Sequence, residues 1–188
     1  MPYTVPQSTD AFHPPAWSDH LETADSQCQD WLFDTGSLTR RLRRLSADSL
    51  QIVTHSEGWA SLRAEECLAL DLPLDTLGWV REVCLVGCGK PWVFARSVAG
   101  QLALKEDGFP LVALGSRSLG ELLFVNGGFS RGPIEIARYP LAWLPAGLAA
   151  HAPWARRSRF QRGALGLLVS EVFLADFWAA LPGSTEAP

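Results

Sequence analysis

The sequence predicts a single α+β domain built around an antiparallel sheet, and three observations carry that expectation. The chain has 188 residues, 47% hydrophobic and 19% charged. It can therefore bury roughly two-thirds of its unfolded surface in one core, and it is too apolar to be disordered. Several short apolar runs alternate with period two and are bounded by turn residues, the pattern of strands. Helical periodicity occurs only in short inserted segments that do not alternate strictly with the strands, which argues against a parallel βαβ sheet.

Taken in order, residues 1–25 read as an irregular acidic leader. They contain the Pro14–Pro15 pair together with Asp10, Asp19, Glu22 and Asp25, and neither Lys nor Arg. The folded domain is expected over 26–178, followed by a tail at 179–188. A short helix is expected over 27–33, with Ser26 as N-cap and Asp34 to Gly36 as its stop. Ser37 then caps a second helix, LTRRLRRLS. Leu38, Leu42 and Leu45 share one face of it, and Arg40, Arg41, Arg43 and Arg44 form a face expected to be solvated. Residues 50–55 alternate as a strand. Residues 77–86 and 92–98 form two more, joined as a hairpin by the GCGK turn at 87–90. The segment 100–117 reads mostly as loop. Ser118 and Glu121 make a capping box for a short helix that stops near Asn126-Gly127-Gly128. Strands at 131–138, 155–162 and 166–175 bring the sheet to six.

Charge and targeting exclude several classes. Lys and Arg total 16 against 20 Asp and Glu, a net charge of −4, where a general nucleic-acid binder shows a basic excess. The N-terminus lacks a basic region followed by an apolar one, so a cytoplasmic location is expected. The most apolar stretch, 164–181, is interrupted by Ser170, Glu171 and Asp176 and is not a membrane span. Cys28, Cys67, Cys84 and Cys88 are expected as free thiols. Cys84 and Cys88 have neither a second pair nor a nearby His to make a zinc site. None of the four His (13, 20, 55 and 151) pairs at helix-face ligand spacing.

Two charged residues stand out by their neighbours. In GWVREVCLV, alternation puts Arg81 on a face with Trp79, Val83 and Leu85. In GLLVSEVFLA, Glu171 shares a face with Leu167, Val169 and Phe173, while Leu168, Val172 and Leu174 fill the other. A strand apolar on both faces is covered on both, and a carboxylate there needs a partner. Two readings stay open at this point: a structural ion pair, formed even between Arg81 and Glu171, or a ligand site. Arg156, Arg157, Arg159 and Arg162 crowd the strand WARRSRFQR, and at least one of its two faces is expected to be solvated.

The blocks WLFDTGSLTRRL, GWVREVCLVGCGKPWVFARSV, SLGELLF, GPIEIAR, WARRSRF and LLVSEVFL stand in order from Trp31 to Leu174. In this order and spacing the chain resembles the chorismate lyases. That resemblance implies a monomeric α+β fold with a six-stranded antiparallel sheet and two short helical flaps over a buried ligand cavity. It implies conversion of chorismate to 4-hydroxybenzoate and pyruvate for ubiquinone synthesis, with no cofactor and no metal. By the same resemblance, Arg81 grips the aromatic carboxylate and Glu171 meets the 4-hydroxyl. The backbone amides of Leu38 and Leu119 hold the carboxylate, and Arg96 lies near the site. Leu38 replaces the Met of well-known members, a change that falls on pocket shape because the contact is made by the main chain. The sheet also resembles the effector domain of GntR-type regulators, which binds a small molecule without turning it over. Such regulators carry a DNA-reading winged helix, for which the 36 residues before Ser37 are too short and too acidic.

Overall fold

The computed structural model describes residues 14–21, 26–125, 128–148 and 152–183. Asn126, Gly127, His13 and His151, with most of the leader and the end of the tail, lie outside the described residues. Seven strands form one antiparallel sheet: β1 (Gln51–Ser61), β2 (Leu77–Gly87), β3 (Lys90–Gly100), β4 (Ser130–Arg131), β5 (Glu135–Arg138), β6 (Trp154–Arg162) and β7 (Leu165–Phe173). Their order is β1-β2-β3-β7-β6-β4, with β5 also paired to β6. The α+β antiparallel expectation holds, but the strand expected over 131–138 is two short ones. Gly132 and Pro133 break it there, since proline has no N–H to give to a ladder. Strand β1 runs past the expected 50–55, with a register shift between Thr54 and Ser56. The segment expected as loop contains a helix over Gln101–Asp107, closed by Gly108 at φ 72°.

Alternation divides the sheet cleanly. One face carries Trp79, Arg81, Val83 and Leu85 of β2, Ala95 and Ser97 of β3, Val169 and Glu171 of β7, and Arg156 and Phe160 of β6. These registers follow from Arg81 opposite Ser97, Ala95 opposite Glu171 and Arg156 opposite Glu171. This face is roofed by α1 (Ser26–Leu32), α2 (Leu38–Leu45) and, after α3 (Ala64–Ala69) and α4 (Gln101–Asp107), by α5 (Leu119–Val125). A short helix α6 (Ala175–Ala179) adds Phe177 and Trp178 to the cluster holding Leu32, Leu42, Trp92 and Phe173. In α2, Leu42 is fully buried and Leu38 nearly so, each worth about 1.5–3 kcal/mol of apolar burial.

The basic face of α2 is not simply solvated. Arg41 lies 3.5 Å over the Trp31 ring and pairs with Asp30 and Asp34, and Arg43 pairs with Glu121 of α5. On the other side of the sheet, α3 covers Val80, Val98 and Leu168. Of the leader, Ser18 pairs with Ile136 in a β-bridge. Trp17 donates to Glu65 from a position stacked on Arg157.

Candidate active site

Between the sheet and the two helices α2 and α5 lies a narrow cavity, with about 630 Å³ of atom-free space once its open mouth is counted. Four of the five expected residues line it: Leu38, Arg81, Leu119 and Glu171. Val83, Leu85, Ala95, Phe160 and Val169 give it apolar walls, and Arg117, Arg131 and Arg156 add positive charge.

Arg81 is 2% exposed. Its Nη2 donates to the carbonyls of Gly115 (2.7 Å) and Arg117 (3.2 Å), fastening the segment that leads into α5. Its buried Nε makes no hydrogen bond among the described residues, and the nearest carboxylate, Glu57 on β1, stands 3.8 Å away. Burial lowers the Arg81 pKa, against the pull of Glu57, yet a guanidinium stays charged. A buried cation with an unused donor is a group that an anion could satisfy.

The two helix starts face the same space. Ser37 caps α2 by accepting from the Arg40 amide. Ser118 Oγ accepts from the Glu121 amide and donates to Thr39 Oγ1 at 3.0 Å, so the cap of α5 is tied to the first turn of α2. The amides of Leu38 and Leu119 sit in the first turn of each helix, where no intrahelical acceptor exists and negative charge is favoured.

Glu171 does not pair with Arg81. Its carboxylate accepts from Arg156 Nε at 2.7 Å. Arg156 is 1% exposed, and its Nη1 also donates to the carbonyls of Trp31 and Asp34, both at 2.9 Å. One guanidinium thus fixes Glu171 and the chain between α1 and α2. Arg131 donates from Nε to Ser158 Oγ (3.0 Å) and from Nη1 to the Thr35 carbonyl (2.9 Å).

Arg96 is not part of this site. It is even-numbered on β3, opposite Glu82, and so faces away from Ala95 and Ser97. It is held there by Glu66 (2.6 and 3.1 Å) and Glu82 (2.8 Å). Burial works against its charge, but these hydrogen bonds outweigh burial and raise its pKa. The expectation of a solvated arginine face on β6 fails for a related reason. Arg156 is buried towards the cavity, and Arg157 is buried on the opposite side against Glu65 and Glu135. Arg159 and Arg162, towards the strand end, remain partly exposed. Arg156 and Arg131 are the site residues the sequence did not single out. Strand alternation places Arg156 on a face with Phe160, but only the β6–β7 register reveals Glu171 opposite it.

An antiparallel sheet closed by two capped helices over a cation-rich cavity with one carboxylate defines a small-molecule domain for a compact organic anion. The chain belongs to the chorismate lyase family, whose model matches residues 15–181. It is 55% identical over 161 residues to a probable chorismate pyruvate-lyase of Pseudomonas aeruginosa (strain UCBPP-PA14), covering 86% of this chain and 90% of that one. It is 51% identical over 185 residues to probable chorismate pyruvate-lyase 2 of Pseudomonas entomophila (strain L48), covering 98% of this chain and 100% of that one. Among solved structures it is similar to the effector domain of PhnF from Mycobacterium smegmatis, with a TM-score of 0.52, 14% identity, and coverage of 76% of this chain and 91% of that one. That last likeness is one of fold alone.

Proposed function

We infer that the chain is a carbon–oxygen lyase that converts chorismate to 4-hydroxybenzoate and pyruvate, the reaction that supplies the aromatic ring in ubiquinone synthesis. The observation that carries this reading is the convergence of Arg81, Glu171 and the first helical residues Leu38 and Leu119 on one cavity. An aromatic acid with a para hydroxyl needs an anion receptor at one end and a hydrogen-bond acceptor at the other, and this cavity offers both. In this reading Arg81 and the two amides hold the ring carboxylate. Glu171, locked by Arg156, accepts from the C4 hydroxyl.

The C4 proton leaves, its bonding pair enters the ring, and the C3–O bond breaks with its pair on the ether oxygen. The enolpyruvate so formed takes up a proton and becomes pyruvate. Aromaticity drives the step, so the protein's contribution is to orient the ring and exclude water. Proton transfer through Glu171 and transfer within the substrate are both compatible with this geometry. Glu171→Gln separates them: near-normal turnover defeats a proton-transfer role. Arg81→Ala is expected to weaken substrate and product binding together, and unchanged product affinity would defeat its assignment. We take the enzyme to act as a cytoplasmic monomer. Incubation with chorismate and a metal chelator tests the whole reading. Pyruvate and 4-hydroxybenzoate are expected, and bound ligand without product would make the domain a sensor.

A further inference from the structure

The substrate carries a second carboxylate, on the enolpyruvyl ether at C3, next to the carbon whose hydroxyl meets Glu171. That carboxylate must therefore lie at the Glu171 end of the cavity, away from Arg81 and the helix amides. Two guanidinium groups line that end, those of Arg156 and Arg131. Arg156 is committed: its Nε serves Glu171, and its Nη1 serves two carbonyls. Arg131 is tied only to neutral acceptors, Ser158 Oγ and the Thr35 carbonyl. No carboxylate of the described residues lies within ion-pair distance of it. Glu171 is the one carboxylate lining this end against the two guanidinium groups, and the nearby Asp34 carboxylate is bonded to Arg41, so the wall has room for one more carboxylate. Burial, reinforced by the neighbouring Arg156, lowers the Arg131 pKa, while Glu171 and Asp34 oppose the shift. Strand β4 fixes its backbone opposite Phe160, with the guanidinium 5.4 Å from that ring.

We propose that Arg131 receives the enolpyruvyl carboxylate of chorismate and holds the enolpyruvate as the C3–O bond breaks. The proposal rests on the lyase reading above. It separates substrate from product: chorismate makes this contact, and 4-hydroxybenzoate, which has lost the enolpyruvyl group, does not. Arg81 and the amides, by contrast, serve both molecules alike.

The test compares wild type, Arg131→Gln and Arg131→Lys in two assays, pyruvate release from chorismate and direct binding of 4-hydroxybenzoate. Arg131→Gln is expected to lower kcat/KM by about 10- to 100-fold, the worth of a charge-assisted hydrogen bond. Its 4-hydroxybenzoate affinity should stay within about twofold of wild type. Arg131→Lys keeps the charge without the planar fork and should fall between the two. If product affinity drops in parallel with kcat/KM, Arg131 only braces Thr35 and the α2 flap, and the proposal is overturned. Unchanged turnover in the Gln variant overturns it as well. Should the Gln variant not fold, a Lys variant that loses product affinity as much as turnover is the overturning result. Failure of the lyase reading looks different: the wild-type protein itself would release no pyruvate.

Discussion

Replacing Arg156 by Met keeps side-chain bulk and removes a buried charge, so its cost can be worked from the contacts. Arg156 is 1% exposed and donates to Glu171 at 2.7 Å and to the Trp31 and Asp34 carbonyls at 2.9 Å. Stranding one member of a buried ion pair costs about 3–5 kcal/mol. The Glu171 side chain is 17% exposed, so the lower end, about 3 kcal/mol, applies. Two carbonyls left without a donor add about 1 kcal/mol each. The sum is about 5 kcal/mol, at the bottom of the ~5–15 kcal/mol that typically separates folded from unfolded domains. At about 2–4 °C per kcal/mol for a chain of this size, Tm should fall by about 10–20 °C. Adding Glu171→Gln removes the stranded charge but not the stranded carbonyls, so the double variant should regain about 2 kcal/mol over Arg156→Met. Urea unfolding of wild type, the two single variants and the double variant measures each term. An Arg156→Met variant within about 1 kcal/mol of wild type, or strictly additive losses in the double variant, would refute the reasoning.

Arg96→Met should cost about 3–5 kcal/mol in the same assay, because Glu66 is 2% exposed and loses its cation, yet leave 4-hydroxybenzoate affinity of the folded protein unchanged. A large loss of affinity without loss of stability would return Arg96 to the site. Gly78→Ala places a Cβ 2.6 Å from the Ala99 carbonyl and 2.7 Å from Leu62, and should cost about 1–3 kcal/mol by urea unfolding. A neutral result would mean that the strands part there without strain. Glu65 has its pKa raised, chiefly by burial, against the pull of Arg157. The folded state therefore holds this proton more tightly than the unfolded chain does. The resulting stabilisation is complete below the unfolded value near 4.5 and is lost as pH rises through the higher folded one. Relative to Glu65→Gln, wild type should gain stability as pH falls through that window, and a constant difference between them would show that the shift is absent.

Much of this was legible because it depends on single-chain periodicity. Ser37 and the 38/42/45 spacing specify α2, and alternation alone puts Arg81 with Val83 and Leu85 on the cavity wall. What was not legible depends on register. Directly opposed residues in a sheet share a face, so Arg96 faces with Glu82 rather than Arg81, and Arg156 faces with Glu171. No property of either strand taken alone contains that information. The helix Gln101–Asp107 escaped for another reason. Its N-cap is Gly100, without a side-chain bond, and Leu102 is 72% exposed, so neither a cap nor an apolar stripe marks it.

Arginine number is uninformative in a chain with 14 Arg and 2 Lys; arginine pairing is not. Behind the sheet, Arg96 is matched by Glu66 and Glu82, and Arg157 by Glu65 and Glu135. These buried cations are compensated within the fold and have no need of a ligand. On the cavity side compensation is incomplete, although Arg156 is matched by Glu171. Arg81 keeps an unused buried donor 3.8 Å from its nearest carboxylate, and Arg131 is held only by a hydroxyl and a carbonyl. Both faces are cut from the same strands, so sheet architecture alone does not distinguish them. An incoming anion distinguishes them, because it gains charge compensation only where a cation keeps an unused donor or lacks a carboxylate bonded to it. A net charge of −4 is therefore compatible with capture of a dianion: attraction is set by the local shortage of carboxylates inside the cavity, where water screens it least.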